Sequence, residues 1–321
     1  MAARKASKKK HTPAVRYLRY ELTNSGTPGT ETSHYIDLAR DISAVNRRLY
    51  RQGRDYHVKR VTIVSSNTPN GGDPTGPNNR ISLATIPDTW IARNAWQRGF
   101  KTWNEMNKVA TDQISGNISG TWADFKVFMT TDSRAAFNAG NFLIPKDNGG
   151  NNVDLGEWRM SQLITPDGTT SADPFELHML GEHTSSGVGN YLSVGLVKSY
   201  AESRATVQPA DPSVPNEASD DPLVNVFDYG TAIDEVVDNL ESQNDYPPYQ
   251  QDIYPGETGN MPKPLVVQDT TLVDGKATVG GFSAMCGLLE IETKSPIGAD
   301  VYSVLVELAP GKYRGIKAGM I

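Results

Sequence analysis

Along most of this chain, short runs of β-branched and aromatic residues alternate with polar ones, and glycine, proline, asparagine or aspartate closes each run within a few residues. A period-2 pattern of that length builds half-buried strands, and the frequent turns leave little room for the long crossover helices that parallel sheets need. The clearest runs are Val15–Leu22 (VRYLRYEL), Tyr56–Ser66 (YHVKRVTIVSS), Arg80–Trp90 (RISLATIPDTW), Asp124–Thr130 (DFKVFMT) and Val301–Leu308 (VYSVLVEL). Trp158–Thr165, Phe175–Leu180, Tyr191–Ser199, Leu223–Phe227, Leu265–Val267, Gly281–Glu292 and Lys312–Ile316 continue the series. Helical spacing is confined to Tyr35–Arg54, apolar at 38, 42, 45 and 49; to Ala95–Thr111; and to Tyr229–Gln243. The expected fold is therefore all-β: an antiparallel sandwich or jelly roll with one or two short helices in long inter-strand loops. Residues 15–321 are read as one such domain, preceded by a disordered basic arm over 1–14.

Charge is distributed very unevenly. Of 321 residues, 31 are Lys or Arg and 37 Asp or Glu, a net charge of −6. Residues 1–20 nevertheless hold seven Lys/Arg and no acid, and residues 1–60 hold 14 against five, or +9, which leaves −15 for the remainder. Between Ala205 and Pro262 there are twelve acids and no Lys or Arg, an acidic excursion from the same domain. A cationic end on an anionic body suggests a polyanion partner for the first and a solubilising role for the second. The basic run also fits a solvated tail or a nuclear-localisation signal. No apolar run approaches the ~18 residues of a membrane span, and the first thirty residues lack an apolar h-region, so neither membrane insertion nor a secretory leader is expected. A lone cysteine, Cys286, excludes an intrachain disulfide and suits a reducing compartment.

Catalytic signatures are missing from the sequence. It contains no GxxxxGK[ST], HExxH, GxSxG or EF-hand loop, and Gly187-Val188-Gly189 reads as a turn. Glu176, His178, Glu182 and His183 form one candidate metal cluster, but no third ligand has a recognisable spacing. The acid pairs Asp220-Asp221 and Asp234-Glu235 fall where acids are simply common. Cys286, inside FSAMCGLLEI, reads as a small buried hydrophobe. No catalytic residue, metal or cofactor is assigned, and the chain is expected to be non-enzymatic. Four of the five tryptophans (Trp90, Trp96, Trp103, Trp122) lie within 33 residues. Trp96, Phe100 and Trp103, at i, i+4 and i+7, suit a helix packed on a sheet; with Trp90 they form an aromatic block for the core or for a subunit interface.

The basic tail, the all-β body, the block Trp90–Asn107 (WIARNAWQRGFKTWNEMN), Asp124–Phe128 (DFKVF) and Gly156-Glu157-Trp158 ahead of a strand together resemble a known family. In order and spacing over about residues 1–200, they are similar to the capsid proteins of small circular, Rep-encoding single-stranded DNA viruses. The resemblance implies a jelly-roll shell domain, with a basic arm (Arg4, Lys5, Lys8, Lys9, Lys10, Arg16 and Arg19) facing the particle interior. Arg47, Arg48, Arg51 and Arg54 are expected to extend that surface, because the arm is shorter and less arginine-rich than those of the best-known relatives. Also implied are a closed homo-oligomer of about 60 copies or a multiple, non-specific packaging of single-stranded DNA and a place in the virion. Assembly would occur in the host nucleus or cytoplasm, and the acidic stretch 205–262 would face outward toward a host surface receptor. Two rivals stay open: a β-sandwich module binding nucleic acid or carbohydrate, and a jelly-roll enzyme using Glu176, His178 and Glu182.

Overall fold

The computed structural model describes residues 13–65, 79–113, 122–164, 174–187, 190–203, 265–272 and 275–321. Two antiparallel sheets face each other. The first contains β1 (Tyr17–Thr23), β13 (Val301–Leu308), β3 (Arg54–Ser65) and β10 (Lys276–Val279) in that spatial order, with β11 (Phe282–Met285) and β16 (Ala318–Met320) also on β3. The second runs β2 (Glu31–Asp37), β12 (Leu288–Lys294), β4 (Arg80–Thr85) and β9 (Leu265–Thr271). The pairing is nested: β1 with β13, β2 with β12, β3 with β10, and β4 with β9. A short hairpin of β14 (Pro310–Gly311) and β15 (Gly315–Ile316) follows.

The core between the sheets comes from the alternation read in the sequence. Leu18, Tyr20 and Leu22 of β1 meet Tyr302, Val304 and Val306 of β13, Val61 and Ile63 of β3, and Ile291 of β12. The outer faces differ in charge. Arg19, Lys59, Arg60 and Lys276 outnumber Glu21 and Glu307 on the first sheet, whereas Glu31, Glu290, Glu292 and Asp269 outnumber Arg80 and Lys294 on the second.

Between β4 and β9 the chain makes an excursion, residues 86–264, with structure of its own. Its described part contains α2 (Trp90–Gln113), α3 (Thr131–Asn138), α4 (Leu196–Glu202) and a third sheet. That sheet is ordered β5 (Gln162–Ile164), β6 (Pro174–His178), β8 (Asn190–Gly195) and β7 (Thr184–Gly187), with β6 and β8 parallel. With α1 (Leu38–Asn46), the helices number four among the described residues, and α2 alone has 24 residues, more helix than the expected one or two short pieces. A second apolar cluster (Trp96, Phe125, Met129, Leu177, Val197) continues into Tyr35, Met285, Cys286 and Leu288, so the excursion is packed against the outer end of the second sheet.

Several segments depart from the alternation reading. Asp124–Thr130 is extended and buried at every position, yet forms only one bridge, Phe128 to His178. Arg80–Trp90 splits: β4 stops at Thr85 and Trp90 opens α2. Tyr191–Ser199 ends as a strand at Gly195 and continues as α4. Gly281–Glu292 is broken at Cys286 (φ 60°) and Gly287 (φ 69°), where two consecutive left-handed residues carry the chain from the first sheet to the second. Leu223–Phe227, Tyr229–Gln243, the arm over 1–12 and the whole of 205–262 lie outside the described residues. Among the described residues, no helix is long and apolar enough to cross a membrane.

Candidate nucleic-acid interface

Four of the basic residues singled out in the sequence, Arg47, Arg48, Arg51 and Arg54, follow the end of helix α1. Asp37 caps the helix, accepting from the Arg40 N–H at 3.1 Å, and the helix ends at Arg47 in the left-handed conformation (φ 51°). One residue earlier, Asn46 clasps the chain where the arm joins the body: the Val15 N–H donates to Asn46 Oδ1 at 2.8 Å, and Asn46 Nδ2 donates to the Val15 carbonyl at 3.0 Å. The basic arm therefore leaves the body beside Arg47 and Arg48.

Those two arginines line a cleft of about 660 Å³, together with Arg40 and Lys126, Trp122 and Trp158, and Asp154 and Glu157. Neither Arg47 nor Arg48 forms an ion pair among the described residues. Lys126 is 6% exposed and its ammonium lies 4.7 Å from the centre of the Trp158 ring. Burial pulls its pKa below the ordinary lysine value, against the pull of Asp124.

A buried polar network sets the walls. Asp37 also accepts from Gln52 Nε2 at 3.1 Å and from Trp158 Nε1 at 2.9 Å. Asp41 accepts from the Tyr20 hydroxyl at 2.7 Å and from Arg40 Nε at 2.8 Å, while Arg40 also donates to the Leu143 carbonyl. Gln52 Oε1 accepts from the Val127 N–H at 2.6 Å, and the Gln52 N–H donates to Asp124 at 2.9 Å. Burial raises the pKa of Asp37, and lifts that of Asp41 to about 6 although Arg40 opposes it. Hydrogen bonds are directional, so this network fixes the excursion's position on the sandwich more tightly than apolar contact would.

The other expected residues lie elsewhere. Arg51 pairs with Asp124 at 3.1 Å, and Arg54 lies over the Tyr313 ring at 4.2 Å, both close to α1 but already engaged. Arg16 sits near the Tyr17 ring. Arg19 points out from β1 and pairs with Glu21, away from the cleft. Arg4, Lys5, Lys8, Lys9 and Lys10 lie outside the described residues. In the aromatic block, Trp96 is buried and stacks on Phe100 at 5.3 Å, and both rings with Trp103 surround Phe125. Trp96 fits because residue 53 is glycine: a Cβ there would come within 2.5 Å of the indole. Trp90 is 47% exposed and meets Tyr200 edge-on.

The sequence matches no protein-family model, and comparison with curated proteins and with solved structures finds no match.

The rival catalytic cluster does not converge. His178 is fully buried; its Nε2 donates to the Glu182 carbonyl at 3.0 Å, so Nδ1 accepts from Ser193 Oγ at 2.6 Å. Burial, with a smaller push from His183, lowers its pKa to about 4. Glu176 is bound by Arg134 and Asn138, and the Glu182 carboxylate by Lys198. Among the described residues, no three His, Cys, Asp or Glu side chains are placed to hold a metal.

Lys126, Arg40 and Trp158 are the site residues the sequence reading overlooked. A lysine inside the apolar run DFKVFMT was the available signal for the first. Trp158 belongs to the Gly156-Glu157-Trp158 segment, all three of whose residues line the cleft.

Proposed function

We propose that this chain is a non-enzymatic viral capsid protein, which self-assembles into a closed shell and packages single-stranded DNA without sequence specificity. The observation that carries the reading is the nested pairing of eight strands, four in each of the two facing sheets. It supports a jelly roll, the wedge from which many viral shells are built, with long loops free to form subunit contacts. Lectins and cupins share that architecture, so the choice among them rests on the site. The described chain joins the body at Val15 beside a cleft lined by Arg47 and Arg48, which supports a shared role for those arginines and the basic arm. Closed shells need heterologous contacts whose rotation closes. About 60 copies at +9 each, a charge that already counts Arg47 to Arg60, would supply roughly 540 positive charges, short of one per nucleotide for a genome of kilobases, so counterions neutralise the rest. The virion is then its location, with assembly in the host nucleus or cytoplasm.

The experiment replaces Arg4, Lys5, Lys8, Lys9 and Lys10 with Gln and measures the 260/280 nm ratio of the purified assembly. A ratio that falls while assembly persists supports arm-driven packaging; an unchanged ratio sinks it. A second reading, a small nucleic-acid-binding β-sandwich, draws on the same cleft. It predicts a particle no larger than a few chains.

A further inference from the structure

Charge neutralisation by the arm requires cations alone. The cleft beside α1 offers more. Both Trp122, 72% exposed, and Trp158, whose ring faces the Lys126 ammonium, line it. The near-buried ammonium of Lys126 makes one long hydrogen bond, 3.5 Å to the Asp124 carbonyl, which leaves donors without a protein acceptor among the described residues. Arg47 and Arg48, neither in an ion pair among the described residues, line the cleft together with Asp154 and Glu157, the latter held by Arg159. At about 660 Å³ the space suits a small ligand with both an anionic and an aromatic part.

We propose that this cleft holds one unpaired nucleotide, its base on Trp122 and Trp158 and its phosphate on Arg47 and Arg48. The inference rests on the packaging reading and adds what that reading lacks, a means of preferring single strands. Lysines on a mobile arm meet the same phosphates in a duplex and a single strand, whereas a base can leave the stack cheaply only when unpaired. Asp154 and Glu157 repel phosphate, which orients the nucleotide toward the arginines, and they can accept from exocyclic amino groups. Lys126 supplies a further donor from the floor.

The test uses the full chain and anisotropy of fluorescein-labelled dT10, beside a 10-base-pair duplex, at 50 and 200 mM salt. The expected result is about tenfold tighter binding of dT10 than of duplex at 200 mM, and collapse of that preference in Trp122→Ala. The double variant Arg47→Ala/Arg48→Ala should flatten the slope of log K against log salt by about 1.4. Circular dichroism of each variant reports the fold. Equal binding of single strand and duplex, or a preference that survives Trp122→Ala, overturns the cleft proposal and leaves arm packaging standing. So does competition by a peptide of residues 1–14 that also abolishes the preference in Trp122→Ala's parent, since the cleft would then be an arm socket. Failure of the full chain to bind either nucleic acid at 50 mM salt overturns the packaging reading itself.

Discussion

In the sandwich, β1 buries alternate residues: its pattern is strictly exposed–buried from Tyr17 to Thr23, and its inward side chains meet an apolar core. In the excursion, the segment Asp124–Thr130 is buried at every position, and two of its seven residues, Asp124 and Lys126, carry charge. The sandwich thus coheres through non-directional apolar area, which tolerates repacking. The excursion depends on Trp96 and its ring neighbours and on a few buried hydrogen bonds to α1, each of which has one geometry. Because Tyr35, Met285, Cys286 and Leu288 belong to the excursion's cluster, the two regions are expected to unfold together.

The strongest challenge to that comparison is Trp96→Ala. It should cost about 3–5 kcal/mol, against about 2–5 for Ile63→Ala in the sandwich, and both should lower one common calorimetric transition. A second transition appearing only in Trp96→Ala would show the regions to be independent. Asp37→Ala strands the donors of Arg40, Gln52 and Trp158 and should cost about 3 kcal/mol. It should also shift tryptophan emission to the red as Trp158 loses its anchor. Asp300→Ala, which removes the acceptor of Ser65, Asn79 and Ser295 within the sandwich, should cost a similar amount without that shift.

Acid sharpens the contrast further. His178 is held neutral with a pKa of about 4 against an ordinary 6.5, so below pH 6.5 the unfolded chain gains a proton that the folded one refuses. Its contribution is complete above pH 6.5 and is lost as pH falls toward 4, by about 2 kcal/mol at pH 4.5. Asp41 has the opposite sign: with its pKa raised to about 6, the folded state binds the proton first and gains stability as pH drops from 6 toward 4. Denaturant midpoints of His178→Asn and of the parent should therefore diverge between pH 7 and 4.5, the parent losing more. The smallest effect is expected on the outer face of the second sheet. Arg80→Ala breaks the exposed pairs with Glu31 and Asp269 and should change stability by less than about 1 kcal/mol.

Legibility in the sequence follows the same division. Val301–Leu308 coincides with β13, and β1 and β3 differ from their expected bounds by one or two residues, because a strand with one wet face writes its period into the chain. β2 (ETSHYID) went unread, since its outward residues include Tyr35, covered by the excursion. The change of sheet at Cys286-Gly287 was hidden because its one glycine sits inside an apolar run and the other left-handed residue is a cysteine, which signals no turn. Of the site, Arg47 and Arg48 were legible as charge and Trp122 as one of an aromatic cluster. The meeting of Arg47 and Arg48 with Lys126 and Trp158, dozens of residues away, is set by the Asp37 network, which no local pattern announces.

The central claim is that this sandwich is a shell subunit. Light scattering on the size-excluded full chain, a 35.0 kDa polypeptide, tests it most directly. A closed particle of about 60 copies, near 2 MDa, is the predicted result, and it should persist, emptied of nucleic acid, in a chain beginning at Pro13. A 35.0 kDa monomer at every salt and protein concentration would contradict it.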